Sequence, residues 1–222
     1  LRERTTANED QNFNEYLGFE LRRPKYSQSG LFIDDEAKII TQSSGLSECS
    51  RLTANGIYDY NIFKENSDLD LAILTPKQSL KPLSIIEYSS ALPKIGDKVA
   101  LASFPYQEKL NRSTLSEGIL REMEDLQGDR NKFRFSVSME PGDRGGGIFD
   151  SSGNFIGLHV THPTSKENSD AQIAIKVREI NNFLRDTGSL ELKRSYRNTP
   201  LDLGQIESMA NKVTALISCW EN

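Results

Sequence analysis

The stretch Pro141-Gly142-Asp143-Arg144-Gly145-Gly146-Gly147-Ile148-Phe149-Asp150, continued by Ser151-Ser152-Gly153-Asn154-Phe155-Ile156-Gly157-Leu158-His159-Val160, decides how the rest of the chain is read. Four glycines fall within the six residues 142–147. Glycine accepts positive φ without steric cost, so the backbone is expected to fold back on itself with its N–H groups turned into one space. The apolar run Phe155 to Val160 reads as a buried strand, and Ser151 to Asn154 as the turn of its hairpin.

Working outward, most of the chain is punctuated in the same way. Ser29 to Ile33, the acidic triplet Asp34-Asp35-Glu36, and Ala37 to Thr41 read as strand, turn and strand. Three consecutive acids in a hairpin do not converge on one ion, so they are read as a solvated turn. Residues 50–66 hold two more strands around Gly56, with Ile57, Tyr58, Tyr60 and Ile62 as strand-favouring residues. Asp68-Leu69-Asp70 leads into the apolar strand Leu71-Ala72-Ile73-Leu74. Residues 76–94, with Pro76, Pro82 and Pro93, form a link. Gly96 to Pro105 opens a second set of strands. Thr114–Leu126 and Lys132–Met139 make a long hairpin around Gln127–Asn131, and Ala171–Val177 is a last strand. Arg178 to Thr187 has helical spacing at Ile180, Phe183 and Leu184 and is stopped by Gly188. Leu203–Lys212 reads as a second short helix, and Val213–Trp220 as a strand adding to a sheet edge near Cys49. Near the start, Asn8–Tyr16 reads as a short polar helix.

Composition excludes several classes. Hydrophobic residues are 36% and charged residues 27%, so the chain is globular with a polar surface. Net charge is −5 and the basic residues are scattered without a stripe, which argues against a nucleic-acid partner. No apolar stretch approaches the roughly 18 residues a membrane span needs. The first residues show no basic-then-apolar leader, which proves nothing where a leader has been removed. Cys49 and Cys219 lack metal-ligand spacing and have no histidine near them, so neither a metal nor a cofactor is expected. They are either two buried thiols or one disulfide.

The glycine stretch resembles the nucleophile loop of trypsin-like serine proteases, Gly-Asp-Ser-Gly-Gly-Pro followed by such a hairpin. Two further segments carry the same resemblance in order. Ser29-Gly30 with Ile39-Ile40-Thr41 matches the hairpin that ends at the family's histidine, and Asp70-Leu71-Ala72-Ile73-Leu74 matches the strand that begins with its aspartate. The resemblance covers roughly residues 27–188 and is strongest to the secreted and heat-shock-type bacterial branch. It implies an all-β fold of two six-stranded antiparallel barrels with a closing helix, to which residues 189–222 add an extra C-terminal helix–strand tail. The implied division is an N-terminal extension over 1–26, a first barrel over 27–92, a second barrel with its helix over 93–188, and a tail over 189–222 packing back on the first barrel. It also favours pairing Cys49 with Cys219, which would place the protein in the periplasm or outside the cell.

Residue by residue, the carry-over breaks at two places. Ser44 falls where the histidine belongs, and Arg144 where the attacking serine belongs. A serine hydroxyl is no general base near neutrality, and a guanidinium has only donors and keeps its proton. Only Asp70 is of the required type. The chain has two histidines, His159 and His162, both after the glycine loop and therefore out of family order. His159 is expected to be packed and His162 to lie near a pocket rim. The expected reading is a pseudoprotease that binds a protein or peptide. Ser138, Met139 and Glu140 would form a pocket wall, and Val160, Thr161 and His162 an edge to which a peptide adds as a strand. The Gly142 and Arg144 amides would keep an oxyanion-hole-like nest. Arg144 is expected either to pair with Asp70 or to point to solvent, and Asp143 to sit in a turn salt bridge. The alternatives are a serine endopeptidase, altered on purpose or working by an unusual mechanism, and an anion-binding module built on the 142–147 loop.

Overall fold

The structure, a computed structural model, describes residues 13–14, 19–20, 23–89, 91–105, 112–140, 142–161, 172–188 and 191–221. Its strands are β1 (Phe13–Asn14), β2 (Phe19–Glu20), β3 (Tyr26–Phe32), β4 (Ile39–Gln42), β5 (Arg51–Ala54), β6 (Tyr58–Asn66), β7 (Leu71–Pro76), β8 (Glu87–Tyr88), β9 (Lys98–Ser103), β10 (Thr114–Glu122), β11 (Lys132–Ser136), β12 (Gly147–Asp150), β13 (Phe155–Val160) and β14 (Gln172–Lys176). Helix α1 (Val177–Asp186), β15 (Lys193–Arg194), helix α2 (Leu203–Val213) and β16 (Thr214–Trp220) follow.

Two closed six-stranded barrels result, with strand orders β16-β3-β4-β7-β6-β5 and β10-β11-β14-β13-β12-β9. Every pairing within them is antiparallel. Alternation decides which side chain goes where. In the first barrel Ile39, Ala72 and Leu74 face the interior with Leu52, Ala54 and Tyr60. Their neighbours Ile40, Leu71 and Ile73 face outward into a layer shared with Phe149, Phe155 and Leu158 of the second barrel. Phe133, Phe135, Leu101 and Ile148 fill the second barrel. The middle layer fixes how the barrels meet, and hence the cleft between them.

The sixth strand of the first barrel comes from the far end of the chain. β16 runs antiparallel to β3 on one side and β5 on the other, and so closes the barrel rather than decorating an edge. Its inward residues Ala215, Ile217 and Cys219 are buried in the barrel core. A disulfide joins Cys219 to Cys49 across a separation of 170 residues. α2 delivers the strand. Asp202 caps it by accepting from Gln205 N–H, while the Gln205 side chain accepts from Asp202 N–H.

One expectation needs correction. Phe13–Asn14 is a short strand paired with Phe19–Glu20, not part of a helix, and the rest of Asn8–Tyr16 lies outside the described residues. The link between barrels contains β8, which pairs in parallel with β15 of the tail. The acidic turn is as read: Asp34 Oδ1 accepts from the N–H groups of Glu36 and Lys38. Gly188, at φ 98, follows α1 as its stop.

Candidate functional site

The glycine loop lies wedged between the barrels. Gly145 has φ 75, and a Cβ there would collide with the Ser29 carbonyl and stand 2.6 Å from Thr41 Oγ1. The two barrels touch here through backbone, which gives the loop's glycines a structural use independent of any chemistry. Ser29 N–H donates to the Arg144 carbonyl at 2.9 Å, and Ser29 Oγ donates to the Gly142 carbonyl at 3.0 Å. Asp143 is buried beneath the loop. Its carboxylate accepts from Ser103 Oγ and from Glu140 N–H, both at 2.6 Å, so it is a buried hydrogen-bond anchor and not the salt-bridged turn residue expected. Burial pushes its pKa up, against the lowering effect of those two donors.

His159 is fully buried, as expected. Its Nδ1 lies 3.2 Å from the Asp143 carbonyl, and its ring meets Phe135 edge-on. Burial lowers its pKa to about 4, so it is neutral near pH 7 and Nδ1–H is the donor to that carbonyl. His162 lies outside the described residues.

Asp70 closes the Ser67–Asp70 turn with φ 54, a left-handed conformation that aspartate tolerates better than most residues. Its carboxylate faces the end of β4. Oδ1 accepts from Ser44 N–H and Ser43 Oγ at 2.8 Å each; Oδ2 accepts from Gln42 Nε2 at 2.7 Å; the Ser44 hydroxyl lies within 2.8 Å of both oxygens. All these donors are neutral, and among the described residues no imidazole or cation contacts Asp70.

The expected Arg144–Asp70 pair is not formed. The Arg144 guanidinium lies over the Tyr26 ring, 4.3 Å from its centroid. The reason is that Asp70's acceptor sites are already filled by residues 42–44, while Ser29 pins the Arg144 backbone beside β3, whose first residue offers an aromatic face. Burial pushes the Tyr26 phenol up in pKa, against the nearby guanidinium, and so keeps the ring neutral. The Tyr26 hydroxyl also lies 3.5 Å from Cys49 Sγ of the disulfide.

Gln42 is the residue that sequence reasoning passed over. It is fully buried, and its side chain crosses from the first barrel to the end of β13. One Nε2 hydrogen goes to Asp70; the same nitrogen lies 3.2 Å from the Thr161 carbonyl and 3.1 Å from Thr161 Oγ1. Oε1 lies 3.2 Å from both Thr161 N and Thr161 Oγ1. A carboxylate at one end and a backbone N–H at the other leave one orientation for the amide, with Nε2 toward Asp70.

Ser43, Ser44, Asp68, Leu69, Asp70, Lys132, Val160, Thr161, Ile173 and Ile175 are among the residues lining a cleft of about 380 Å³ between the barrels. Thus Ser44, Asp70, Val160 and Thr161 meet at one place. Ser138, Met139, Glu140 and Arg144 do not line this cleft. Ser138 and Glu140 are exposed, and Met139 packs on the second-barrel core. No acceptor for the N–H groups of Gly142 or Arg144 is found among the described residues. Nor is there, among those residues, a group of three or more His, Cys, Asp or Glu side chains able to hold a metal, or a helix long and apolar enough to cross a membrane.

Comparison with known proteins agrees with the double-barrel fold. The uncharacterized protein y4bJ of Sinorhizobium fredii is 22% identical over 207 residues, covering 86% of this chain and 32% of its own length. The chain therefore spans about a third of that curated relative. Among solved structures, the Rv3671c protease of M. tuberculosis in an inactive form is similar with a TM-score of 0.58 at 16% identity, covering 75% of this chain and 87% of that one. A serine endoprotease from Yersinia pestis gives 0.59 at 20% identity, covering 73% and 57%. At these identities the structures speak for the fold alone. The profile of the trypsin-like peptidase domain matches residues 28–158, more than half of the sequence, and the chain belongs to that family.

Proposed function

We propose that this chain is a pseudoprotease: a trypsin-like double barrel that binds a protein or peptide partner outside the cytoplasm and hydrolyses no peptide bond. The observation that carries this reading is the state of Asp70. Peptidase chemistry of this family needs an imidazole between a carboxylate and a hydroxyl. Here the Asp70 oxygens are occupied by Gln42, Ser43 and Ser44, and the position after Asp143 carries a guanidinium stacked on Tyr26. The Cys49–Cys219 disulfide supports a periplasmic or secreted setting, where such bonds persist. The test is to incubate the purified chain with reduced, unfolded casein and follow both partners by mass spectrometry. The reading predicts intact casein; fragments that disappear with a serine-protease inhibitor would overturn it.

A further inference from the structure

We infer that Gln42 occupies, from within the chain, the place of a partner's peptide group. The partner that fits is an extended segment carrying a basic side chain directed at Asp70. The inference rests on the pseudoprotease reading only for its use of a bound, uncut partner.

The row of backbone bonds along β13 shows what Gln42 does. His159 N–H donates to the Gly146 carbonyl at 2.8 Å, and Gly145 N–H donates to the His159 carbonyl at 3.0 Å. Val160, the next residue, is in register with Ile173 of β14, on the opposite side. In an antiparallel sheet, bonding sides alternate residue by residue. Thr161 therefore turns its N–H and C=O to the same side as His159. There the two groups meet Gln42 Oε1 and Nε2, each at 3.2 Å. One side-chain amide thus offers an acceptor and a donor to one residue, as the backbone of an added strand would. A strand added at Thr161 must displace it.

Displacement has a second consequence. Gln42 Nε2 is also the donor to Asp70 Oδ2 at 2.7 Å. An incoming backbone can satisfy Thr161, but it leaves Asp70 Oδ2 with the Ser44 hydroxyl, at 2.7 Å, in place of two donors in a half-buried site. A partner that brings an N–H-bearing side chain replaces the lost donor. Asp70 and Asp68 both line the cleft. Lys132, which lines it too, is already matched by Asp125 at 3.3 Å and Asp129 at 3.1 Å. A cationic donor thus adds the attraction of an ion pair to that hydrogen bond, which a neutral amide does not. Leu69, Val160, Ile173 and Ile175 provide apolar walls for the aliphatic stem of lysine or arginine.

The experiment uses two labelled, acetylated and amidated extended hexapeptides, identical except for lysine or norleucine at the centre. Binding to the whole chain and to its variants is read by fluorescence anisotropy. Gln42→Ala is expected to bind the lysine peptide at least tenfold more tightly than the native chain, and to prefer it about tenfold over the norleucine peptide. Asp70→Asn added to Gln42→Ala should abolish that preference while keeping the gain. Gln42→Met, which keeps volume and removes both polar groups, guards against collapse of the site in the alanine variant, with folding checked by circular dichroism. Equal affinity of native, Gln42→Ala and Gln42→Met chains for the lysine peptide, including none measurable in all three, overturns the inference, as does equal binding of the two peptides. Mass spectrometry of the same mixtures separates the two readings: cleaved peptide overturns the pseudoprotease, whereas uncut peptide bound without regard to Gln42 overturns only the inference drawn here.

Discussion

Gln42 of the first barrel and Thr161 of the second, 119 residues apart in sequence, are joined through one side-chain amide that also holds Asp70. Because Gln42 is fully buried and bridges the barrels, its loss removes one of the two donors to Asp70 Oδ2 and the side-chain partner of Thr161 N–H. Gln42→Ala is expected to cost about 1–3 kcal/mol, the worth of a hydrogen bond to a carboxylate. Urea unfolding checks this through a lowered midpoint. A midpoint equal to that of the native chain would mean the amide holds nothing.

The Arg144–Tyr26 stack predicts a measurable coupling. A cation over an aromatic ring at 4.3 Å, half-buried, is worth about 0.5–2 kcal/mol. A double-mutant cycle of Arg144→Ala and Tyr26→Ala should recover that much interaction energy. Strict additivity of the two single losses would show that Arg144 makes no use of the ring.

Closure of the first barrel by β16 predicts a redox-dependent stability. The disulfide spans 170 residues, and in the chain-entropy model removing such a cross-link costs about 5 kcal/mol. Cys49→Ser with Cys219→Ser should lower the melting temperature strongly, and reductant should lower that of the native chain but not of the double variant. Hydrogen exchange should quicken first along β16 and β5. Melting temperatures indifferent to reductant would contradict this.

These three features mark where the sequence is legible and where it is not. The glycine loop, the Asp70 strand and the alternation of Ile39–Ile40 and Leu71–Leu74 are local patterns; they mark strands and turns, and it is the family resemblance they carry that implies two barrels and a closing helix. The alternation of β16 shows that one of its faces is apolar, but not that the missing place in the first barrel lies between β3 and β5; that depends on five other strands. Gln42 has no local signal at all, because its partners come from a turn 28 residues on and a strand end 119 residues on. The partner of Arg144 is hidden from the sequence for a similar reason. Charge suggests Asp70, but Asp70's neighbours in space are the hydroxyls and amide of its own barrel.

Buried His159 predicts a dependence of stability on pH. Its pKa falls from the ordinary 6.5 to about 4 in the folded protein, because burial disfavours the charged ring. Between those values the unfolded chain binds the extra proton and the folded chain does not. Stability is therefore full above pH 6.5 and is lost as pH falls toward 4, by about 3 kcal/mol for this group. Asp143, with its pKa raised by burial, contributes with the opposite sign at acid pH. His159→Gln should flatten the profile between pH 6.5 and 4, read as urea midpoints against pH. An unchanged slope in that variant would exclude His159 as its source.

The restored site offers a graded check. On the pseudoprotease reading, Arg144→Ser with Ser44→His supplies the two side-chain types that reading requires for hydrolysis, yet Gln42 Nε2 still donates to an Asp70 oxygen beside the new imidazole. The pair alone should give little esterase activity, and Gln42→Ala added to it at least tenfold more. Equal activity with and without Gln42→Ala would show that Gln42 does not compete for Asp70.

The most direct test of the central claim is a fluorophosphonate probe, which labels an activated serine hydroxyl, applied to the native chain beside a trypsin control. The account predicts no labelled native chain and no peptide turnover at any enzyme excess. Stoichiometric labelling at Ser43, Ser44 or any other serine of the native chain would contradict it.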